Sequence, residues 1–563
     1  LKGAKVYPAI WGKDWLPNVY AMPEAEGFSL QELKDFLGED GAVFEEELEA
    51  ALRLMKQAKN LGSIMKLSLS EEARQYIEEH YTTLCKDDYL DLNLKSILQG
   101  LKNYIPILLI LTNKYAAVVA NPPYMVSGNM NAALKNYVNI NYPLSKSDLF
   151  AVFMETCLSL NIKKGLMGMI NQHSWMFLSS YKKLRSYILD NYGILNMLHL
   201  GPRTFEELSG EVVQSTAFVL ENGKSLENAT YYRLVNFKNI HLKETEFLSG
   251  NNKYIGVLQS SFSKIESTPI AYWAGENLFK LFENESSLKN EVDIRSGIST
   301  GENDRYYRYW FEVSDMDIEK NANEDTVVEN ELISNKKWYY VVKGGERRKW
   351  FGNRESIINL ENNGNDIRES GKNFRLRTPD FYHKKGITWS RISSNKIAFR
   401  IKNNDTNFGE NSPSFFLDKN KEEYYLALLN SKVVFHLLSC INPTLTFQVI
   451  DLAKIPIIYN DNEEIISICE NQIQISRNDW NSHETSWDFE KLPLLKDASN
   501  LETAFQVWEE DVTKDFYQLH TNEEELNRIF IDIYGLQEEL TPEVPLKDIT
   551  ILQEELKKND LEA

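Results

Sequence analysis

The feature that most constrains this chain is Tyr115–Met125, YAAVVANPPYM, an apolar and partly β-branched stretch that runs straight into two consecutive prolines. Proline fixes φ near −65°, lacks an amide hydrogen, and biases the residue before it away from helix. A strand can run through Ala120, but after Asn121 the chain must leave it in a stiff, irregular loop. The stretch predicts a buried parallel strand over Tyr115–Ala120. Downstream, the spacing predicts helices over Asp148–Leu160 and Tyr181–Asn191, and strands over Gly165–Ile170, Ile194–Leu200 and Gln214–Leu220. Strands separated by helices of this length give an α/β sheet with helices on its faces.

On either side the texture differs. Residues 1–114 read mostly as helix, with apolar residues at three- and four-residue spacing over Leu30–Leu37, Phe44–Leu61 and Ser70–His80. From about Tyr231 to Tyr459 the chain turns to short aromatic-rich strands punctuated by Asn, Gly and Ser. The end returns to amphipathic helix, Leu501–Leu519 and Glu523–Tyr534. The expected order is a helical lead-in (1–114), part of an α/β sheet (115–230), an α+β region (231–460) and an acidic helical region (461–563).

With 42% apolar and 26% charged residues the chain has the makings of several packed cores. The apolar run near Ile105–Leu111 falls far short of the roughly 18 residues of a membrane span, and no secretory signal is visible, so a cytoplasmic protein with no membrane partner is expected. Four cysteines without C-x-x-C spacing argue against a zinc site or a disulfide framework, and no metal is expected. The net charge of −20 is unevenly spread. Between Lys336 and Lys402 there are 17 Lys+Arg against 6 Asp+Glu, a net of +11, leaving 45 against 76, or −31, elsewhere.

Asn121-Pro122-Pro123-Tyr124 carries the chemistry. An exocyclic amine on an aromatic ring, such as that of adenine, is a poor nucleophile because its lone pair is delocalised. The Asn121 side-chain carbonyl and the Pro122 backbone carbonyl can each accept one N–H, drawing the nitrogen towards tetrahedral geometry and aiming its lone pair. The prolines keep both acceptors in place, and Tyr124 offers a flat face for a base taken out of its helix. The plainer use of the same residues is a turn stiffened by proline.

The tetrapeptide resembles motif IV of the amino-methyltransferases, in the form with Asn first that marks adenine-N6 enzymes of the gamma type. Ser147–Phe153 resembles motif V, which implies that Phe153, with Asp148 beside it, contributes to cofactor binding. Gly165–Trp175 is similar to motif VI, and Leu195–Leu220 to the last two catalytic strands, with Phe205 a candidate second face against a flipped base. The stretches Tyr115–Met125, Arg203–Leu220 and Ile533–Val544 resemble the methyltransferases of BREX-type phage-defence systems. That resemblance implies part of a Rossmann-like methyltransferase sheet, a target-recognition domain and a helical C-terminal region. It implies transfer of methyl from S-adenosylmethionine to a flipped adenine as a self-mark, with double-stranded DNA and other defence proteins as partners.

Two departures qualify the resemblance. Ala116 stands where the family commonly has an acidic residue, and no glycine-rich cofactor loop stands in a strand–loop–helix setting. Gly165-Leu-Met-Gly168, Gly297…Gly301 and Gly344-Gly345 lie on a strand or in the α+β region. The expectation is a main cofactor loop upstream of Leu1, and poor S-adenosylmethionine binding by this chain alone.

In the basic stretch cations alternate with aromatics, and Lys337, Arg347, Arg348, Lys349, Arg375, Arg377, Lys384, Lys385 and Arg391 are candidate DNA contacts. A solvated strand face is the plainer use of each. Tyr424–Ile457 resembles the strand–helix ending of target-recognition domains. Asp488-Phe489-Glu490-Lys491 superficially matches a nuclease D/E-x-K, a pattern too common to weigh. The competing expectation to an enzyme is a DNA-recognition subunit that keeps the fold without catalysis, and a third is action on RNA or a glutamine amide.

Overall fold

The computed structural model describes residues 18–205, 214–223, 229–377, 379–392, 396–417, 421–444, 446–495, 500–553 and 555–556. The chain divides into two compact units, Leu1–Ser260 and Ser261–Ala563.

The first unit opens with helices whose starts are written in the sequence. In α1 (Leu30–Leu37) Ser29 and Glu32 form a reciprocal capping box, and α2 (Glu45–Met55) follows. Ser70 caps α3 (Glu71–Leu84) and Asp91 caps α4 (Leu92–Leu101). Pro106 does not break the apolar run but sits in the first turn of α5 (Ile105–Thr112), where a missing N–H costs nothing. These helices share one core with α6 (Ala132–Asn141) and α7 (Leu149–Ser159), running from Leu33 and Phe36 to Leu149 and Val152.

The sheet comprises β1 (Tyr115–Ala120), β2 (Asn161–Gln172), β3 (Tyr192–Gly201), β4 (Ser215–Asn222), β5 (Thr230–Arg233) and β6 (Lys253–Ile255), with α8 (Lys182–Asn191) leading into β3 and α9 (Ile240–Ser249) lying between β5 and β6. Its order is β1-β2-β4-β3-β5-β6. β1 pairs parallel with β2, and β4 runs antiparallel between β2 and β3. The α/β fold expected from the strand–helix alternation is present. The sheet continues past residue 230, since β5 pairs parallel with β3. One expectation is corrected. Among the described residues β1 is parallel but stands at one end of the sheet and is not buried, Val119 being 82% exposed. An apolar β-branched hexapeptide has the same composition at a sheet's edge as at its centre, so sequence could not separate the two.

Because β1, β2 and β3 all point one way, their carboxyl ends and the amino end of β4 lie along one edge. There His173, just after β2, and His199 on β3 share a hydrogen bond of 2.8 Å between Nδ1 and Nε2, both rings buried.

In the second unit, α10 (Glu276–Asn284) precedes two sheets. One, ordered β7 (Asp293–Arg295), β15 (Ser414–Phe416), β12 (Gly386–Trp389), β13 (Phe399–Lys402), is antiparallel throughout. The other places β10 (Trp338–Val342) between β9 (Ile318–Glu319) and β11 (Ser356–Asn359), with β8 (Tyr307–Tyr309) beyond β11 and β14 (Asn407–Phe408) also on β10. Then come α11 (Glu422–Asn430), α12 (Lys432–Ile441), α13 (Glu463–Asn481) and α14 (Leu501–Tyr534). The sequence predicts two helices where α14 is one of 34 residues, capped by Asn500 and closed by Gly535 in the left-handed conformation at φ 64°. The apparent break at 520–522 is a polar rung inside a continuous helix: Asn522 and Glu523 are buried and hydrogen-bonded to other elements.

The histidine pair yields a pH prediction. Burial holds both imidazoles neutral, with His173 pushed down to about 4 and His199 well below its ordinary value. Unfolding releases two rings that take up protons near pH 6.5, so the unfolded chain binds more protons and stability falls as the pH drops below that value. Between pH 7.5 and 5 the first unit is expected to lose on the order of 2 kcal/mol from His173 alone. Urea midpoints of wild type and His173→Asn at the two pH values check this, the variant showing the smaller loss.

Candidate active site

The diproline loop leaves β1 at the carboxyl edge, where open α/β sheets bind ligands. Asn121 and Pro123 are exposed, Pro122 is buried and Tyr124 is half-buried. The next residues are stitched to the start of α7. Met125 N donates to Asp148 Oδ1 at 2.9 Å, Leu149 N to Met125 O at 3.0 Å, and Ser127 N to Ser147 O at 2.9 Å. Asp148 is also the N-cap of α7, accepting from Phe150 N at 3.2 Å. One buried carboxylate thus fixes a loop and a helix to each other. Its pKa is raised by burial, against the opposing backbone N–H groups of Met125, Phe150 and Leu149.

Tyr124 points inward, its ring edge-on to Phe150 at 6.1 Å and 86°, and Phe150 in turn meets Tyr181 at 5.6 Å. The Tyr124 hydroxyl is shielded from solvent; burial raises its pKa while the Ser215 hydroxyl at the head of β4 lowers it. The loop is therefore held from two directions, at Tyr124 and at Met125, with Asn121 left open to solvent. A stiff exposed carboxamide beside a half-buried ring can receive a flat ligand bearing an amine.

Asp148, expected at the cofactor, turns Oδ1 to the backbone N–H groups of Met125 and Phe150 and so positions the loop. Phe153 is half-buried and packs against the core of the lead-in helices. Phe205 is half-buried just past β3. Of the Arg203–Leu220 stretch, residues 206–213 lie outside the described residues. Among the described residues no glycine-rich turn joins a strand to a helix along this edge, and Gly165 and Gly168 lie within β2. The loop thus presents an open carboxamide beside a half-buried ring, and none of the described residues forms a glycine cradle beside it.

The basic stretch looks different in three dimensions, and two of its nine candidates are corrections. Arg348 is buried with Asp479 at 2.8 Å, and Lys349 with Glu523 at 2.6 Å, an acid that also accepts from Trp350 Nε1 at 3.0 Å. Arg347 reaches Asp548 at 3.8 Å. Part of the charge excess of this segment is matched by Asp479, Glu523 and Asp548 of the last hundred residues, the last also pairing with Lys396, which sequence separation hid. Sequence reasoning also passed over the buried Arg354, Arg400 and Lys402, the first paired with Asp405 at 2.6 Å and the last held down to about 7 by burial. Arg377 and Arg391 flank Glu410 at 4.0 and 3.6 Å. Lys337 and Lys385 make surface pairs with Glu361 and Glu423, Arg375 is exposed, and Lys384 lies over the Phe381 ring. No group of His, Cys, Asp and Glu able to hold a metal occurs among the described residues, and no single helix among them is long and apolar enough to cross a membrane.

Residues 42–205 match the Eco57I restriction-modification methylase family. The chain is 36% identical over 573 aligned residues, 96% of its length, to a protein of Lacticaseibacillus casei (strain Zhang) named adenine-specific methyltransferase PglX, covering 46% of that protein. It is also 36% identical over 500 residues, 88% of its length, to the adenine-specific methyltransferase BrxX of Escherichia coli O9:H4 (strain HS), covering 40% of it. The chain thus spans a little under half the length of these curated relatives. Among solved structures, the type IIL restriction-modification enzyme MmeI in complex with DNA aligns with 88% of this chain and 68% of its own at 11% identity and a TM-score of 0.44.

Two stability predictions follow from these contacts. Asp148→Ala removes a cap and the Met125 anchor together and is expected to cost about 1–2 kcal/mol, with faster amide exchange at Met125 than at Leu134, read by hydrogen–deuterium exchange. Lys349→Ala strands the buried Glu523 and is expected to cost about 3–5 kcal/mol in urea unfolding, whereas Lys337→Ala, on the surface, changes stability by less than about 1 kcal/mol.

Proposed function

We propose that this chain, a homologue of the adenine-specific methyltransferases PglX and BrxX, supplies the target-base side of a DNA adenine N6-methyltransferase. The observation that carries the reading is the exposed Asn121 on a diproline loop clamped at the carboxyl edge of the sheet. S-adenosylmethionine, when bound, supplies an electrophilic methyl group. The chain's own residues supply the amine's geometry. Asn121 Oδ1 and the Pro122 carbonyl each accept one N6–H, which localises the lone pair on nitrogen without a covalent intermediate. On methylation the attacking nitrogen would become cationic as the donor's carbon–sulfur bond breaks and its thioether leaves; the same acceptors would stabilise that charge, and the surplus N6 proton would pass to water. Tyr124 and Phe205 offer the flat faces that offset part of the cost of unstacking the base, about 1–3 kcal/mol each. Pro123 keeps the loop from yielding, and Phe153 offers a ring towards the donor's adenine.

Duplex DNA would be tracked by the cations left at the surface, Lys337, Arg375, Lys384 and Lys385, with Arg377 and Arg391 beside them. Such methylation would serve as a self-mark in a phage-defence system with other defence proteins as partners, which is what the sequence resemblance implies. The second reading is a recognition subunit without catalysis; what favours it is the lack of a glycine cradle among the described residues. The two part on one experiment. In the longer protein, incubated with labelled S-adenosylmethionine and duplex DNA, Asn121→Ala is expected to cut transfer to adenine N6 by about 100-fold or more while leaving DNA binding within threefold. Undiminished transfer in that variant would remove the loop from the mechanism.

A further inference from the structure

The last hundred residues carry most of the chain's charge imbalance: residues 461–563 hold 26 Asp+Glu against 8 Lys+Arg, a net of −18. Some of these acids neutralise the basic stretch, and several line a groove of about 560 Å3 formed by α13, the first half of α14, residues Asp488, Glu490, Lys491 and Pro493, and Ile551, Leu552 and Glu555. Its walls are of two kinds. Trp508, Val512 and Ile475 give it an apolar floor, and Asp488, Glu490 and Asp511 stand among its acids, against Lys491 and Lys514 as the cations among its described lining residues.

The apolar floor continues beyond the groove. Leu501 is 74% exposed and Phe505 47% exposed, and with Trp508 and Val512 they recur at four- and three-residue spacing along one face of α14. Such a stripe normally faces a core or a second helix. In so acidic a region, an uncovered aromatic and aliphatic stripe is not needed for solubility and works against it. Charge and shape together restrict what could cover it. Nucleic acid is repelled by the carboxylates, and a small polyamine would leave the stripe uncovered. A helix with lysines and arginines on one side and leucine-like residues on the other satisfies both, with a cation over the Trp508 face as a third contact.

We propose that this groove docks a basic amphipathic helix of a protein partner. This stands apart from the methyl-transfer reading, because it concerns different residues and its test reads no methylation. The probe is a fluorescein-labelled peptide of about 18 residues, Leu on one helical face and Lys on the other, titrated into the full-length protein and read by anisotropy. The expected result is saturable binding that weakens about tenfold or more in Glu490→Lys/Asp511→Lys, equivalent to about 1.4 kcal/mol. Glu502→Lys/Glu509→Lys makes the same charge change on residues of α14 that do not line the groove and is expected to alter affinity less than threefold. Leu501→Ser/Phe505→Ser, both solvent-facing and so safe for folding, is expected to weaken binding about fivefold. A peptide of the same composition scrambled to destroy the two faces is expected to bind at least tenfold more weakly. Equal losses in the two charge variants, equal binding of the scrambled peptide, displacement by spermidine as effective as by unlabelled peptide, or no saturable binding would each overturn the proposal. Circular dichroism of the variants confirms that they fold.

Discussion

The structure of the candidate site depends on one buried carboxylate. Asp148 has Oδ1 directed at backbone N–H groups on both sides of a gap in sequence, Met125 after the diproline loop and Phe150 in the first turn of α7. Without it the loop would keep its backbone bonds to Ser147 and Leu149 and the Tyr124–Phe150 contact, but lose the side chain that joins Met125 to the first turn of α7. The stiffness that proline gives locally becomes a fixed position only because something anchors the next residue. Two acceptors can act together on one amine only if their separation is constant, so a positioning residue with no chemistry of its own governs what Asn121 can do.

The second unit shows a related use of charge. Arg348 and Lys349 meet Asp479 and Glu523 across more than a hundred residues of sequence, away from water. Burying charges is costly, so such pairs contribute less to net stability than to fixing which element packs where. The basic stretch and the acidic helices are therefore partly one electrostatic unit. The cations that remain at the surface, such as Arg375, are fewer than the local charge suggests.

How much of this was legible in the sequence can be seen element by element. The strand and helix succession from β1 to β4 was readable because short apolar runs separate stretches of helical periodicity, and the diproline marks where β1 stops. The exposure of Val119 was not readable, because edge and centre strands draw on the same residues. The continuity of α14 was missed because Asn522 and Glu523 look like a polar break, whereas they are buried partners of Asn471 and Lys349. The part of Asp148 Oδ1 in anchoring Met125 was not readable because a motif records that a residue type recurs, not which backbone groups it meets. Likewise a count of lysines and arginines cannot separate a phosphate contact from an ion pair formed with a distant segment.

The central claim is that Asn121 and the Pro122 carbonyl together grip an exocyclic amine. It is tested most directly by a structure of the longer protein with duplex DNA and a non-reactive cofactor analogue. The account predicts an extruded adenine whose N6 lies within about 2.7–3.2 Å of both Asn121 Oδ1 and Pro122 O. A target adenine held elsewhere, or with its N6 facing away from these two oxygens, would contradict it.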